Sequence, residues 1–299
     1  MSNLALIAEI REIYRQGGNI IEFLKTQNHG ENQTESIMIS YDLQSGSYTK
    51  FAEKNAKYLD QYTNAVQAVL STLPAFESIM EIGVGEATMM NPLMAKLDIH
   101  NKILKFGFDI SWSRVRYALQ NCQRSGNLIN LFVADLFEIP LPDNSVDIVY
   151  TSHSLEPNGG KEKQALKELY RVAKKFIVLL EPDFQRASTE GKERMIRHGY
   201  VRDLATHAHE LGFDVIEDRS FDVFVNPLNP TGLTMIKKNV SDNFSTPNFV
   251  CPITKTSLTK AENVYFSEIS GLIYPIIDKI PCLLSSSATL GTHFPHFNN

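Results

Sequence analysis

Residues 79–87 read Ile-Met-Glu81-Ile-Gly83-Val-Gly85-Glu-Ala87. An apolar run of β character ends in an acid, glycines follow at alternate positions, and a helical stretch begins. This is the pattern of a first strand and turn in an open α/β sheet that binds a nucleoside cofactor. Gly83 and Gly85 can take backbone angles that a side chain forbids, and they leave bare main chain against a ligand. The third small residue, which lets helix and strand pack closely, is Ala87.

The charge around this turn separates two cofactor classes. A pyrophosphate would sit on the helix N-terminus and wants a Gly-x-Gly-x-x-Gly spacing. Here the sixth position is Thr88, and Glu81 stands two residues before the first glycine. An acid there repels a pyrophosphate and attracts a cation. S-adenosylmethionine has a sulfonium, an ammonium and no phosphate, so it fits the charge.

Further strand ends carry acids at βα spacing. Lys105-Phe-Gly107-Phe-Asp109 reads as a second strand whose carboxylate can accept both ribose hydroxyls. Asn130-Leu-Phe-Val-Ala134-Asp135-Leu136 reads as a third, with Asp135 able to accept from an adenine amino group. Ser145-Val-Asp147-Ile-Val-Tyr-Thr-Ser-His153 reads as a fourth. One such Asp alone is equally a helix N-cap or a loop residue; a series in order is not explained by capping.

With these residues the chain resembles a class I S-adenosylmethionine-dependent methyltransferase. The matching pieces are Glu81-Ile-Gly-Val-Gly85, Gly107-Phe-Asp109-Ile-Ser111, Ala134-Asp135-Leu136, Pro142-Asp-Asn-Ser-Val-Asp147-Ile-Val-Tyr150 and Glu168-Leu-Tyr-Arg171-Val-Ala-Lys-Lys, covering roughly residues 75–185. The resemblance implies a Rossmann-like sheet of seven strands with helices on both faces, the last strand inserted antiparallel. It implies the Gly83/Gly85 loop and Glu81 at the methionine part, Asp109 on the ribose, Ile110 against adenine, and Asp135 with Leu136 at the adenine edge. S-adenosylhomocysteine would be the product form. Ala87, where many members have Gly, still suits a tight turn.

The remaining chain divides around this core. Residues 1–74 read as an N-terminal helical lid, with helices over 3–16, 20–25 (capped by Asn19) and 49–73, and a polar loop over 26–36. Tyr41 and Tyr48 either close over the methionine end or pack in a turn. Residues 75–240 form the cofactor domain, with a helix over 162–174, a strand over 176–180, a helix over 201–211 and a closing hairpin over 213–218 and 232–237. Residues 239–248 form a polar linker and 288–299 a tail.

Between them, Phe249-Val-Cys251-Pro-Ile-Thr254-Lys-Thr-Ser-Leu258 and Gly271-Leu-Ile-Tyr-Pro275-Ile-Ile-Asp278-Lys-Ile-Pro281-Cys-Leu-Leu284 resemble, over 248–287, the small zinc-ribbon-like domain that activates several methyltransferases as a separate subunit. The resemblance implies a β-rich unit packing on the chain's own cofactor domain. A structural zinc needs four ligands. Thr254 breaks the first knuckle and Cys282 has no nearby cysteine partner, so no metal is expected; His293 and His296 have ligand-like spacing in an end segment. Cys251 and Cys282 then read as small buried apolar residues.

Composition narrows the function. A hydrophobic content of 43% over 299 residues supports a core, and a net charge of −5 does not favour a broad nucleic-acid surface. No apolar run reaches membrane-span length and no signal-peptide pattern opens the chain, so a cytoplasmic location is expected. Three cysteines make no disulfide framework.

For chemistry, His153 at the end of the fourth strand is the candidate base, because its pKa suits proton transfer near neutrality; a loop histidine held by hydrogen bonds is the plain alternative. Glu156, Asn158, Glu181, Asp183 and His198 are the candidate acceptor-binding residues. Thr151-Ser-His153-Ser-Leu-Glu156-Pro stands where an Asn-Pro-Pro-Tyr signature of base or glutamine methylation would be. The leading expectation is O-methylation of a small polar acceptor, a sugar or sugar-acid of surface-glycan synthesis. A tRNA, rRNA or protein methyltransferase with its activator in cis is a second reading, and a non-catalytic scaffold a third.

Overall fold

The computed structural model describes residues 3–18, 20–27, 32–97, 102–239 and 243–294. After a short 3-10 turn at Asn3–Leu6, the amino-terminal region folds into α1 (Ile7–Arg15), α2 (Ile20–Gln27), α3 (Thr34–Leu43), α4 (Ser47–Lys54) and α5 (Ala56–Ser71). The central region follows as β1 (Ser78–Ile82), α6 (Met90–Leu97), β2 (Leu104–Asp109), α7 (Trp112–Ser125), β3 (Asn130–Val133), β4 (Val146–Ser152), α8 (Glu162–Val172), β5 (Ala173–Pro182), α9 (Thr189–His198), α10 (Leu204–Glu210), β6 (Asp214–Phe221) and β7 (Thr231–Lys237).

These seven strands form one sheet in the order β3-β2-β1-β4-β5-β7-β6. β1 to β5 are parallel, and β7 runs antiparallel between β5 and β6. The α/β class, the seven strands and the inverted last insertion therefore agree with the expectation. Helices cover both faces, so the central strands are buried on both sides; every residue of β1 is buried. The order reverses between β1 and β4, which opens a crevice at the strands' carboxyl ends, where open α/β sheets bind ligands.

Several local expectations are corrected. The helix expected over 49–73 is two helices, because Asn55 leaves helical geometry (φ −122, ψ 37) and its Nδ2 donates to Phe51 O at 2.9 Å. An Asn side chain that bonds its own backbone competes with the helix ladder. The loop expected over 26–36 is shortened by α2 and α3, and Tyr41 lies on α3 rather than in a turn. β5 takes Ala173 and Lys174 from the end of the expected helix. The helix expected from 201 starts at Leu204, after Asp203 enters the left-handed region at φ 53. α9 was not anticipated, although Ser188 caps it by accepting from Gly191 N at 3.1 Å and Gly199 ends it at φ 70. Asn19 and His296 lie outside the described residues, as do 240–242 of the linker.

The carboxy-terminal region is a second, antiparallel sheet of β8 (Thr259–Ala261), β9 (Val264–Phe266), β10 (Leu272–Ile277), β11 (Ile280–Pro281) and β12 (Thr289–Leu290), the last drawn from the segment expected as a tail. Asp278 and Lys279 both have positive φ (49 and 69), the two-residue turn that matches strand twist between β10 and β11. Cys282 pairs with Val133 in a parallel bridge, and Leu283 N donates to Val133 O at 2.8 Å. The otherwise open edge of β3 is thereby covered. Phe249 meets Phe132 edge to face at 5.0 Å, and Cys251, Tyr274 and Leu283 share one apolar cluster with the sheet.

Candidate active site

A cavity of about 570 Å³ lies over the carboxyl ends of β1, β2 and β4, roofed by α3, α4 and α5 and by the β6–β7 loop. Its floor is the glycine turn. Gly83 and Gly85 have φ of 63 and 54, and a Cβ at Gly83 would lie 2.4 Å from the Cβ of Ser154. Glycine is required there for backbone angle and for space alike. Ala87 takes φ 54 while fully buried, so the tight turn survives its methyl group.

Acids at the strand ends are held by local donors. Asp109 accepts from Gly85 N at 3.1 Å and Ser111 N at 2.9 Å, tying the glycine turn to the second strand. Burial raises its pKa, against the nearby Arg114 charge and these amides. Glu81 receives the Tyr150 hydroxyl at 2.7 Å; burial nevertheless pushes its pKa up to about 8. Asp135 accepts from Phe137 N at 2.9 Å and is also raised by burial. Ile110 and Leu136 line the same end. These residue types suit the cofactor read from the sequence: a buried acid for a cation, an acid beside bare backbone for a diol, apolar walls for a base.

Tyr41 and Tyr48 also line the cavity, and both stack on Arg114, with its guanidinium carbon 4.8 and 4.3 Å from their ring centres. Arg114 donates to Tyr41 O at 2.8 Å, while its terminal nitrogens are buried without a hydrogen bond among the described residues. Arg114 was not foreseen; in sequence it is one more polar position of an amphipathic helix. Glu86 was missed too, and it fastens the roof. Its carboxylate accepts from Gly46 N (2.8 Å), Tyr48 N (3.3 Å), Thr49 N (2.7 Å) and Thr49 Oγ1 (2.5 Å), acting as a cap for α4 from across the chain.

His153, which follows β4, lines the same cavity and takes the left-handed region at φ 53. Its Nδ1 lies 2.9 Å from Glu156 Oε2 and its Nε2 lies 2.8 Å from Thr231 Oγ1. Burial pulls its pKa down, but the hydrogen bond and charge of Glu156, with Glu181 behind, more than offset this and hold it above the ordinary value. Asn158 lines the cavity and donates to Leu155 O at 3.2 Å.

Four of the residues read as acceptor-binding are placed otherwise. Glu156 stands behind His153, off the cavity wall. Glu181 accepts from Ser154 N and Leu155 N (both 3.0 Å) and Glu156 N (3.1 Å), so it shapes the β4–α8 loop from beneath; burial pushes its pKa up to about 7. His198 stacks on Tyr200 at 5.4 Å, away from the lining. Asp183 pairs with Arg186 at 3.2 Å beside a separate small hollow. Among the described residues no group of three or more His, Cys, Asp or Glu could hold a metal ion. Cys251 Sγ instead faces Tyr274 Oη at 3.3 Å.

Thr231, Asn229 and Ser154, from the polar loops that suit a hydroxylated acceptor, join the lining, and so do Phe224 and Val225, which the sequence did not point to. The insertion of β7 beside β5 brings the polar β6–β7 loop over His153.

Residues 80–178 match the family model described as "Methyltransferase domain". Among solved structures, a SAM dependent methyltransferase from Aquifex aeolicus is 17% identical, with a TM-score of 0.46 over 57% of this chain and 88% of that one. Magnesium protoporphyrin IX methyltransferase from Synechocystis PCC 6803 with bound SAH is 16% identical, with a TM-score of 0.49 over 78% of this chain and 99% of that one. No curated protein matches the chain. The match to a family model ends before the carboxy-terminal sheet, so the likeness of that region to an activator subunit is not shown. No helix among the described residues is long and apolar enough to cross a membrane. Residues 80–178 are thus similar to a methyltransferase domain, and the cofactor that the cavity suits is S-adenosylmethionine.

Proposed function

We propose that the chain is an S-adenosylmethionine-dependent methyltransferase acting on a small acceptor. The observation that carries this reading is one continuous cavity running from the Gly83/Gly85 turn and Asp109 to His153 and Thr231. Glu81, Gly83 and Gly85 would hold the methionine part, Asp109 the ribose, and Ile110, Asp135 and Leu136 the adenine. The bound cofactor supplies an electrophilic methyl group on a sulfonium, open to in-line displacement.

The chain's own residues provide positioning and a proton path. Holding the acceptor in line is worth most of the rate in such a displacement. A hydroxyl or amine acceptor must also lose a proton, and Thr231 Oγ1 can take it while passing its own to His153 Nε2. Glu156 keeps the imidazole oriented through Nδ1 and stabilises the imidazolium so formed.

The cavity walls shift the expected acceptor. Ile37, Phe51, Tyr58, Phe224 and Val225 are apolar or aromatic. They favour an acceptor with an apolar body and a polar reacting group over a free sugar or sugar acid. A cavity roofed by helices also favours a small molecule over tRNA or a protein.

Calorimetric titration with S-adenosylmethionine and S-adenosylhomocysteine tests the reading. Binding of both, weakened at least tenfold by Asp109→Ala, is expected. A folded protein that binds neither would overturn it.

A further inference from the structure

Asn229 and Glu156 together fix what the acceptor must offer. Asn229 sits on the β6–β7 loop and lines the cavity. Its Nδ2 lies 3.0 Å from Glu156 Oε2. An amide's oxygen and nitrogen are not told apart by shape, so the neighbour decides which is which. An ionised carboxylate can only accept. Glu156 meets that condition: burial works against ionisation, but His153, Asn229 and Tyr200 hydrogen bonds hold its pKa below the ordinary value. The nitrogen of Asn229 must therefore face Glu156, and Oδ1 is turned the other way. That oxygen is buried and accepts no hydrogen bond among the described residues.

Ser154 Oγ, beside the glycine turn in the same cavity, is likewise buried without a partner. An unsatisfied buried oxygen is costly to desolvate and gains by accepting a hydrogen bond. Glu181 stands beneath it and aromatic rings line the cavity.

We propose that Asn229 Oδ1 is a specificity-determining acceptor that selects a methyl acceptor bearing an O–H or N–H donor on an apolar body. This inference rests on the methyltransferase reading and deepens it. A carboxylate or an ether at the same place would face Oδ1 with lone pairs and would be rejected. Asn229 does not take the proton. The donor first binds Oδ1, which orients the group; an O–H then swings from Oδ1 to Thr231 Oγ1, which takes its proton while passing its own to His153 Nε2, and an amine can keep one N–H on Oδ1 while a second follows that path. The oriented amide makes Asn229 a positioning residue whose effect depends on Glu156.

The test compares phenol, anisole and benzoate as probes of one size, on protein saturated with S-adenosylhomocysteine, with binding read by calorimetry. One hydrogen bond of roughly 1.4 kcal/mol is about tenfold in affinity, so phenol is expected to bind about tenfold more tightly than anisole. Benzoate should bind no better than anisole. Asn229→Leu should bring phenol and anisole within about twofold, because the discriminating oxygen is gone. Glu156→Gln should narrow the ratio without removing the Asn229 side chain, because a neutral amide can donate as well as accept and no longer dictates which way Asn229 turns. A purely structural role would lower all three affinities together and leave their ratio unchanged.

Equal binding of phenol and anisole, a ratio that survives Asn229→Leu, or binding of neither probe would overturn the inference while leaving the cofactor reading intact. Failure to bind S-adenosylhomocysteine at all would overturn both.

Discussion

Thr49 donates twice to Glu86, from its backbone N–H at 2.7 Å and from its hydroxyl at 2.5 Å. One residue of the glycine turn thereby holds the first turn of α4 over the cavity. Asp42 reinforces the closure by accepting from Ser111 Oγ at 2.7 Å and Ser113 N at 3.1 Å. The roof over the cofactor end is fastened to the same turns that would carry the ligand, so ordering one orders the other.

Replacing Glu86 by Ala leaves the α4 amides without their acceptor. Buried donors left unpaired cost about 1–3 kcal/mol. The expected outcome is faster hydrogen exchange at residues 46–49, with the core strands unchanged, and a cofactor affinity several-fold lower. Unaltered exchange at these amides would show that the roof is held by packing instead.

The His153–Glu156 pair gives a signed pH dependence. The folded-state pKa of His153 is raised, so its contribution to stability is fully present below 6.5 and is lost as pH rises through the folded value. That of Glu156 is lowered, so its contribution is present above 4.5 and is lost as pH falls through the folded value. The pair therefore stabilises most between these limits. An imidazole titration followed by NMR should show a midpoint above 6.5 that drops in Glu156→Gln. Turnover, which needs the neutral imidazole, should rise with pH through the same midpoint. His153→Ala should lower it by about 10²–10⁴.

Glu81 is held mostly protonated at neutral pH, with its pKa near 8 from burial. A cation brought beside it favours the ionised form. Cofactor binding at pH 7 should release up to about one proton, seen as a dependence of the calorimetric enthalpy on the buffer's ionisation enthalpy. Glu81→Gln should abolish that release. Affinity of the unaltered protein should rise with pH toward 8 and level off above it.

Leu283 is fully buried in the cluster shared by the carboxy-terminal sheet and the central one. Leu283→Ala should destabilise by about 2–5 kcal/mol, read as a lowered midpoint of thermal unfolding. Truncation after residue 240 should expose that cluster and the edge of β3, giving an insoluble or much less stable chain. A truncated chain with the original Tm would show that the carboxy-terminal sheet is an independent appendage.

Much of the frame was legible in the chain order. The run from Met80 to Ala87, the acids Asp109 and Asp135 and the strand before His153 are local patterns. Strand periodicity, the glycine turn and an acid at a strand end are each written within a few neighbouring residues. Their order, with the family resemblance it carries, implied an α/β sheet that binds at its strand ends, and the structure has it. The break at Asn55 was less legible, because an amphipathic pattern continues across a residue whose side chain turns back on its own helix.

The far wall was decided only by tertiary structure. His153 and Thr231 are 78 residues apart, and Glu156 and Asn229 are 73 apart. No periodicity links such positions. They meet because β7 inserts antiparallel beside β5, with Pro182 opposite Thr231, and so swings the β6–β7 loop over the end of β4. The same holds for Glu86, whose partners lie 37–40 residues earlier on α4. Sequence determined which end of the sheet would bind and what charge it would carry, because those follow from backbone propensity and residue type. Which side chains face one another across the cavity followed from strand order and helix docking, which are set by burial of the whole apolar core rather than by any local run of residues.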